Sequence, residues 1–212
     1  MSPTVVRRGV PIVVSAPSGG GKTTLCHRVI EQLQDIEFSV SHTTRAPRPH
    51  EVDGTDYHFV DVPTFTQLKE AHAFVEHAKV FNNWYGTSAI EATARLDAGI
   101  DVLFDIDVQG GQQIQQKMPE AVLVFIVPPN MRELERRLRS RQTDAADEIA
   151  RRLQGAEAEI RAATFYTHWV VNDSLDMAVN TLQSIVCSER LRHVDKAELM
   201  RQVLQDSAQK LT

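Results

Sequence analysis

The chain has little that would tie it to an oxidising compartment, a membrane or a nucleic acid. Two cysteines, Cys26 and Cys187, stand in 212 residues with no C-x-x-C spacing. That excludes a disulfide framework and a zinc ribbon, and leaves reduced thiols in a cytoplasmic protein as the expectation. No apolar run approaches a membrane span, and no charged-then-apolar leader opens the sequence. Basic charge is not in excess: 23 Lys and Arg against 28 Asp and Glu give a formal net charge of -5. Non-specific nucleic-acid binding wants the opposite balance, so no nucleic-acid partner is expected. Repeats and low-complexity tracts are missing. The eight histidines form no metal-like pair, and His72 and Glu76, four apart, read as a solvated helix face. What remains is enough chain to bury one core, with at most a small insertion.

What the sequence does have begins at Val10. An apolar run to Val14 is followed by Ser15-Ala16-Pro17-Ser18-Gly19-Gly20-Gly21-Lys22-Thr23-Thr24, and then by a helix-compatible stretch from Leu25 to Leu33. Strand, glycine-rich turn and helix N-terminus are the context of a phosphate-binding loop. Glycines let successive N–H groups face one anion, and the helix dipole adds partial positive charge. Ala16 stands where the general pattern begins with Gly, and a small residue fills that place. Lys22 can reach the outer phosphates of a nucleoside triphosphate, and the Thr23 hydroxyl can ligate Mg2+. A glycine-rich surface turn is the plainer alternative, and the flanking strand and helix argue against it.

The pattern around the loop predicts a doubly wound α/β fold with a parallel sheet. Val10–Val14, Val102–Phe104, Val122–Val127 and Trp169–Val171 are near-continuous apolar runs, as in strands buried on both faces. Between them, Thr24–Leu33, Gly111–Lys117, Met131–Leu138 and Leu175–Leu191 have helical spacing. From Phe38 to Tyr85 the rhythm breaks. Alternation over Tyr57–Val62, with turn chemistry at Pro47, Pro49 and Asp53-Gly54, predicts a small, partly antiparallel insertion. Beyond Asp195, which is spaced to cap with Glu198, the residues Met200, Val203, Leu204, Ala208 and Leu211 predict a docked or dimer-facing helix.

The insertion holds Ser41-His42-Thr43-Thr44-Arg45-Ala46-Pro47-Arg48-Pro49 and Glu51-Val52-Asp53-Gly54-Thr55-Asp56-Tyr57. Phe74-Val75-Glu76, Trp84-Tyr85-Gly86-Thr87 and, after the second buried run, Asp105-Ile106-Asp107-Val108-Gln109-Gly110 follow. In order and spacing this set closely resembles the guanylate kinases, from about Val10 to Arg190. The resemblance implies a kinase domain over 10–190, divided into a core (10–37, 88–140 and 163–190), a GMP-binding insertion (38–87) and a mobile helical lid (141–162). Residues 191–212 would form a C-terminal helical extension. It also implies phosphoryl transfer from ATP to GMP, and to dGMP as a second acceptor, with Mg2+ as cofactor.

Residue by residue, the resemblance assigns the donor nucleotide to Ala16 through Thr24, with Arg141 and Asn172. It places Ser41, Arg45, Arg48, Tyr57, Glu76, Tyr85, Gly86, Thr87, Asp105 and Asp107 around GMP. Lys22, Arg45, Arg141 and Arg152 carry the catalytic charge, and Asp105 joins Thr23 at the metal, through water. Transfer between two phosphates crowds negative charge, so neutralisation and alignment are the chemistry required. Arg45 and Arg48, with Pro47 stiffening the turn between them, fit an acceptor-phosphate site. Glu76 and Asp107 match acceptors for the guanine N–H groups, and Ser41 and Thr87 match the family's hydroxyls; adenine would leave a buried carboxylate unpaired. Taken singly, Asp107 also reads as a helix N-cap, and Glu76 as a solvated face. Arg136, Arg137 and Arg139 read as a polar helix face. Gln142 and His50 stand where many relatives have Gly, which puts lid rate and loop conformation in question. A catalytically silent binding scaffold of the same family, or a kinase for another phosphorylated acceptor, are the alternatives. The intact charged set disfavours the first, and the guanine set the second.

Overall fold

The computed structural model describes residues 6–80, 82–140 and 146–208. In chain order its elements are β1 (Pro11–Ser15), α1 (Lys22–Gln32), β2 (Ile36–Phe38), β3 (Ser41–Thr43), β4 (His58–Phe59), α2 (Val62–Glu70), β5 (Phe74–Val80) and β6 (Asn83–Ser88). They continue with α3 (Ala89–Asp97), β7 (Asp101–Asp105), α4 (Val108–Lys117), β8 (Val122–Val127), α5 (Met131–Ser140), α6 (Ala146–Ala162), β9 (His168–Val171), α7 (Leu175–Arg192) and α8 (Lys196–Ala208).

The larger sheet has the order β2-β7-β1-β8-β9, and its pairings are parallel. Successive β1 residues face opposite sides, because a strand's side chains alternate. Ile12 and Val14 pack with Leu25 and Val29 of α1 and with Ala178, Leu182 and Val186 of α7. Val13 packs the other way, with Phe104, Phe125, Leu96, Ile114 and Tyr166. The chain crosses from β1 to the β2 edge, returns through β7, and goes on to β8 and β9 on the far side. The winding reverses at β1, where the glycine-rich loop lies at the strand's carboxyl end, the usual place for a ligand in such sheets.

The smaller sheet, β4-β3-β6-β5, is the predicted insertion. It is mixed: β3 and β5 run antiparallel to β6, and β4 runs parallel to β3.

Several local expectations are corrected. The alternating stretch Tyr57–Val62 makes only the short strand His58–Phe59. Asp61 then stops it, because its carboxylate accepts from the Thr64 N–H at 2.8 Å and so caps α2. Ile36–Phe38 is a strand of the larger sheet, with Phe38 opposite Leu103, although it is too short to show a period. The run Trp169–Val171 is not buried on both faces: Trp169 and Val171 are 44% and 55% exposed, since β9 is an edge strand. His72 and Glu76 do not share a helix. His72 sits in a turn at φ 53°, and Glu76 is a buried strand residue. Asp195 does cap α8, accepting from the Ala197 and Glu198 N–H groups at 3.0 Å. Met200, Val203 and Leu204 are nonetheless exposed, and Leu211 lies outside the described residues. Among the described residues no helix is long and apolar enough to cross a membrane.

Candidate active site

The glycine-rich loop is folded by its glycines and by two neighbours, Pro17 and Asn172. Gly19 and Gly21 have φ of 88° and 89°, in the left-handed region that a side chain resists. The Gly20 N–H donates to the Pro17 carbonyl at 2.8 Å, and the Gly20 carbonyl accepts from the Asn172 side-chain amide at 2.9 Å. A Cβ at Gly21 would lie 2.4 Å from that amide nitrogen, so glycine is required there on two counts. Asn172 therefore braces the loop itself.

Lys22 opens α1, and its ammonium is held by two oxygens. The Asp105 carboxylate lies at 2.5 Å and the Ile106 carbonyl at 2.9 Å. Asp105 ends β7, beside the loop. Ser18 ties the loop to α6: its Oγ accepts from Arg152 Nη2 at 2.7 Å, and its N–H donates to Glu159 at 3.3 Å. Burial raises the Glu159 pKa above the ordinary carboxylate range. Between α4 and α6 runs a cleft of about 450 Å³, with Asp107 and Glu159 on its walls.

Of the residues expected at the acceptor, Ser41, Glu76, Tyr85, Gly86 and Thr87 lie on the smaller sheet, while Asp105 ends β7 of the larger one and Asp107 follows it. Ser41 and Thr87 face one another across β3 and β6, their hydroxyl oxygens 3.0 Å apart. Thr87 donates to Glu76 at 2.7 Å. A bulge in β5 between Phe74 and Glu76 sets the register that brings Glu76 opposite Thr87. Glu76 is 3% exposed. Desolvation pushes its pKa up to about 7, the Thr87 hydrogen bond opposes that, and the nearby negative charge of Asp107 adds to it. Asp107 caps α4, accepting from the Gly110 N–H at 2.8 Å. The other Glu76 oxygen lies against Gly110, 3.0 Å from where a Cβ would be.

Arg45 pairs with Glu51 at 2.8 Å, and the same carboxylate accepts from the Arg48 N–H at 2.7 Å. Those contacts hold the Glu51 pKa below its usual range. The Arg45 guanidinium stands 5.3 Å from the Tyr57 ring centroid, and Tyr57 meets Tyr85 at 6.0 Å.

A protein-family model described as Guanylate kinase matches residues 8–189. This chain belongs to the guanylate kinase family. It is 50% identical over 202 residues to a guanylate kinase of Myxococcus xanthus (strain DK1622), covering 92% of this chain and 95% of that protein. It is 46% identical over 192 residues to one from Legionella pneumophila (strain Lens), covering 91% and 92%. Among solved structures, a guanylate kinase from Anaplasma phagocytophilum superposes with a TM-score of 0.71 at 34% identity, covering 88% of this chain and 89% of that one.

Within this chain the geometry distributes the expected residues unevenly. Ser41, Thr87 and Glu76 are directly linked, and Lys22 and Asp105 are paired. Thr23 and Thr24 are exposed on the first turn of α1. Gly86 makes room for aromatic rings, since a Cβ there would lie 3.0 Å from Phe74 and 3.1 Å from Phe65. Arg136 and Arg139 pair with acids on their own helix, whereas Arg137 also reaches the Asn172 carbonyl at 2.8 Å. Arg141 and Gln142 lie outside the described residues. His50 has a φ of 77°, a conformation glycine adopts freely and other residues resist, and this explains why a glycine suits that position. Sequence reasoning gave no role to Glu51, Glu159, Ser15 or Tyr166. Glu51 falls inside the recognised block, but its partner arginine is set by the turn. The other three act through contacts between distant segments.

Proposed function

We propose that the chain moves the γ-phosphoryl group of ATP to GMP, releasing ADP and GDP, and that dGMP serves as an acceptor too. An oxygen of the acceptor phosphate forms the new P–O bond while the bond to the β,γ-bridging oxygen breaks. No general base is needed, because a nucleoside monophosphate is largely dianionic at neutral pH. The work left to the protein is charge neutralisation and alignment. Lys22 and the loop amides take the donor phosphates. Arg45, Arg48, Tyr57 and Tyr85 take the acceptor phosphate. Arg141 and Arg152 bring further positive charge from the lid. Thr23 and Asp105 offer the hard oxygen donors suited to Mg2+ arriving with ATP, which would neutralise phosphate charge there. A cytoplasmic location belongs to the same reading, and the nucleotide substrates support it.

The observation that carries this reading is the line Ser41–Thr87–Glu76, with Asp107 beside it: hydroxyls and carboxylates grouped as a guanine edge requires. The test is ADP release with ATP and Mg2+ against GMP, dGMP, AMP, CMP and UMP in parallel. Turnover confined to guanine nucleotides is expected. Comparable turnover with AMP would remove the base-selecting role from Glu76. Omitting Mg2+ should abolish the reaction.

A further inference from the structure

A chain of hydroxyls lies beneath the donor loop, on the buried side of Lys22. Tyr166 is 4% exposed, and its hydroxyl donates to Ser15 Oγ at 2.6 Å. Ser15, the last residue of β1, is fully buried, and its hydroxyl donates in turn to the Ile106 carbonyl at 2.8 Å. That same carbonyl accepts from the Lys22 ammonium at 2.9 Å. The fold makes room for the arrangement: a Cβ on Gly111 would lie 2.1 Å from the Tyr166 hydroxyl oxygen. The ring is wedged against Phe125 and Phe165, with centroids 5.2 Å and 4.6 Å away.

The direction of the chain is fixed by chemistry. Burial keeps the phenol neutral, its pKa pushed up to about 12, so Tyr166 remains a donor. The Ile106 carbonyl can only accept, so the Ser15 hydroxyl donates to it and accepts the hydrogen bond from Tyr166. Ile106 lies between Asp105, which pairs with Lys22, and Asp107, which caps α4. Its carbonyl is one of the lysine's two oxygen partners and the neighbouring Asp105 carboxylate is the other, and the Ser15 hydroxyl holds that carbonyl from a third side.

We infer that Tyr166 and Ser15 are positioning residues that fix the Ile106 carbonyl and through it aim the Lys22 ammonium at the donor phosphates. The inference rests on the reading of Lys22 as the cation of the donor loop. A purely structural tyrosine would cost stability when changed, and would do so whether or not Lys22 were present.

The experiment is a double-mutant cycle. Tyr166→Phe, Ser15→Ala and their combination are made in the natural chain and again with Lys22→Ala. ATP affinity is read by calorimetry, kcat by ADP release, and folding by thermal midpoint. Loss of one net hydrogen bond predicts a fall of about fivefold in ATP affinity or kcat for Tyr166→Phe. Ser15→Ala should fall at least as far, and the combination no further than Ser15→Ala alone. With Lys22→Ala in place, neither change should weaken ATP binding further. Equal loss in both backgrounds, or no loss in the natural chain, would overturn the inference. If Tyr166→Phe fails to fold, the Ser15→Ala arm gives the same comparison. Near-normal turnover and ATP binding for Lys22→Ala alone would instead sink the reading of Lys22, and the inference with it.

Discussion

The proposed base-reading role asks Glu76 to carry a charge where the surroundings resist one. It is almost fully buried, and its pKa rises from an ordinary 4.5 to about 7. Between those values the folded chain keeps a proton that the unfolded chain has released. Glu76 therefore lowers stability progressively as pH rises through that window, and the whole penalty is present above it. The expected cost, on the order of 3 kcal/mol at about pH 8, is the free energy of holding the carboxylate ionised and unpaired with a base. Glu76→Gln removes the ionisation but leaves an oxygen to accept from Thr87. Without nucleotide, the variant should match the natural chain near pH 4 and exceed its thermal midpoint by several degrees near pH 8. Parallel midpoints across that range would show that Glu76 is already ionised or already solvated. On the proposed role of Glu76, GMP should reverse the order, because a carboxylate can accept from both guanine N–H groups and a side-chain amide cannot.

At the scale of elements, two helical glycines that look alike should respond oppositely to alanine. Gly155 lies in α6 with nothing within 4 Å of where a Cβ would stand, so only backbone entropy is at stake. Gly155→Ala should stabilise by about 0.5–1 kcal/mol. Gly111 lies in α4, where a Cβ would meet the Tyr166 hydroxyl at 2.1 Å. Gly111→Ala should destabilise by about 1–3 kcal/mol in spite of the same propensity gain, because a wedged ring must move. Urea unfolding of both variants checks the pair, and a gain at Gly111 would mean that Tyr166 is not held as tightly as its contacts suggest. The sequence alone cannot separate these glycines, and the same limit explains what else was hidden in it. Val122–Val127 was legible because six apolar residues in a row report burial on both faces by themselves. Ile36–Phe38 was not, since three residues with a glutamate at the centre carry no period. Ser41, Glu76 and Thr87 could be picked out only as parts of a recognised block. The hydroxyl of Tyr166 finds Ser15 across 151 residues, and no local pattern encodes such a contact.

At the scale of the molecule, one carboxylate joins parts of the chain that are far apart in sequence. Asp101 begins β7 and is fully buried. It accepts from the Val10 N–H at 2.9 Å, from Arg7, and from Arg190 Nε at 2.6 Å. Arg190 also donates to the Gln34 carbonyl at 2.6 Å, and nearby the Asp195 N–H donates to the Val6 carbonyl at 2.8 Å. The segment leading into β1, the start of β7 and the end of α7 thus meet at one buried charge. This clasp sits at the amino ends of the parallel strands, while Lys22 and Asp105 sit at the carboxyl ends. Stability and catalysis should therefore separate. Asp101→Asn keeps the shape and an acceptor for Val10, but leaves two largely buried guanidinium groups without a counter-charge. Breaking a buried pair in this way costs about 3–5 kcal/mol, which for a chain of this size lowers the thermal midpoint by roughly 10 °C. At 25 °C or so, well below the new midpoint, KM for ATP and GMP should be unchanged. The loss should also be nearly independent of salt, because buried charges are poorly screened. A midpoint within a degree of the natural chain would mean that Arg7 and Arg190 turn out to water once released. A raised KM at full folding would mean that the two ends of β7 are mechanically coupled, and that the clasp reaches the active site through the strand.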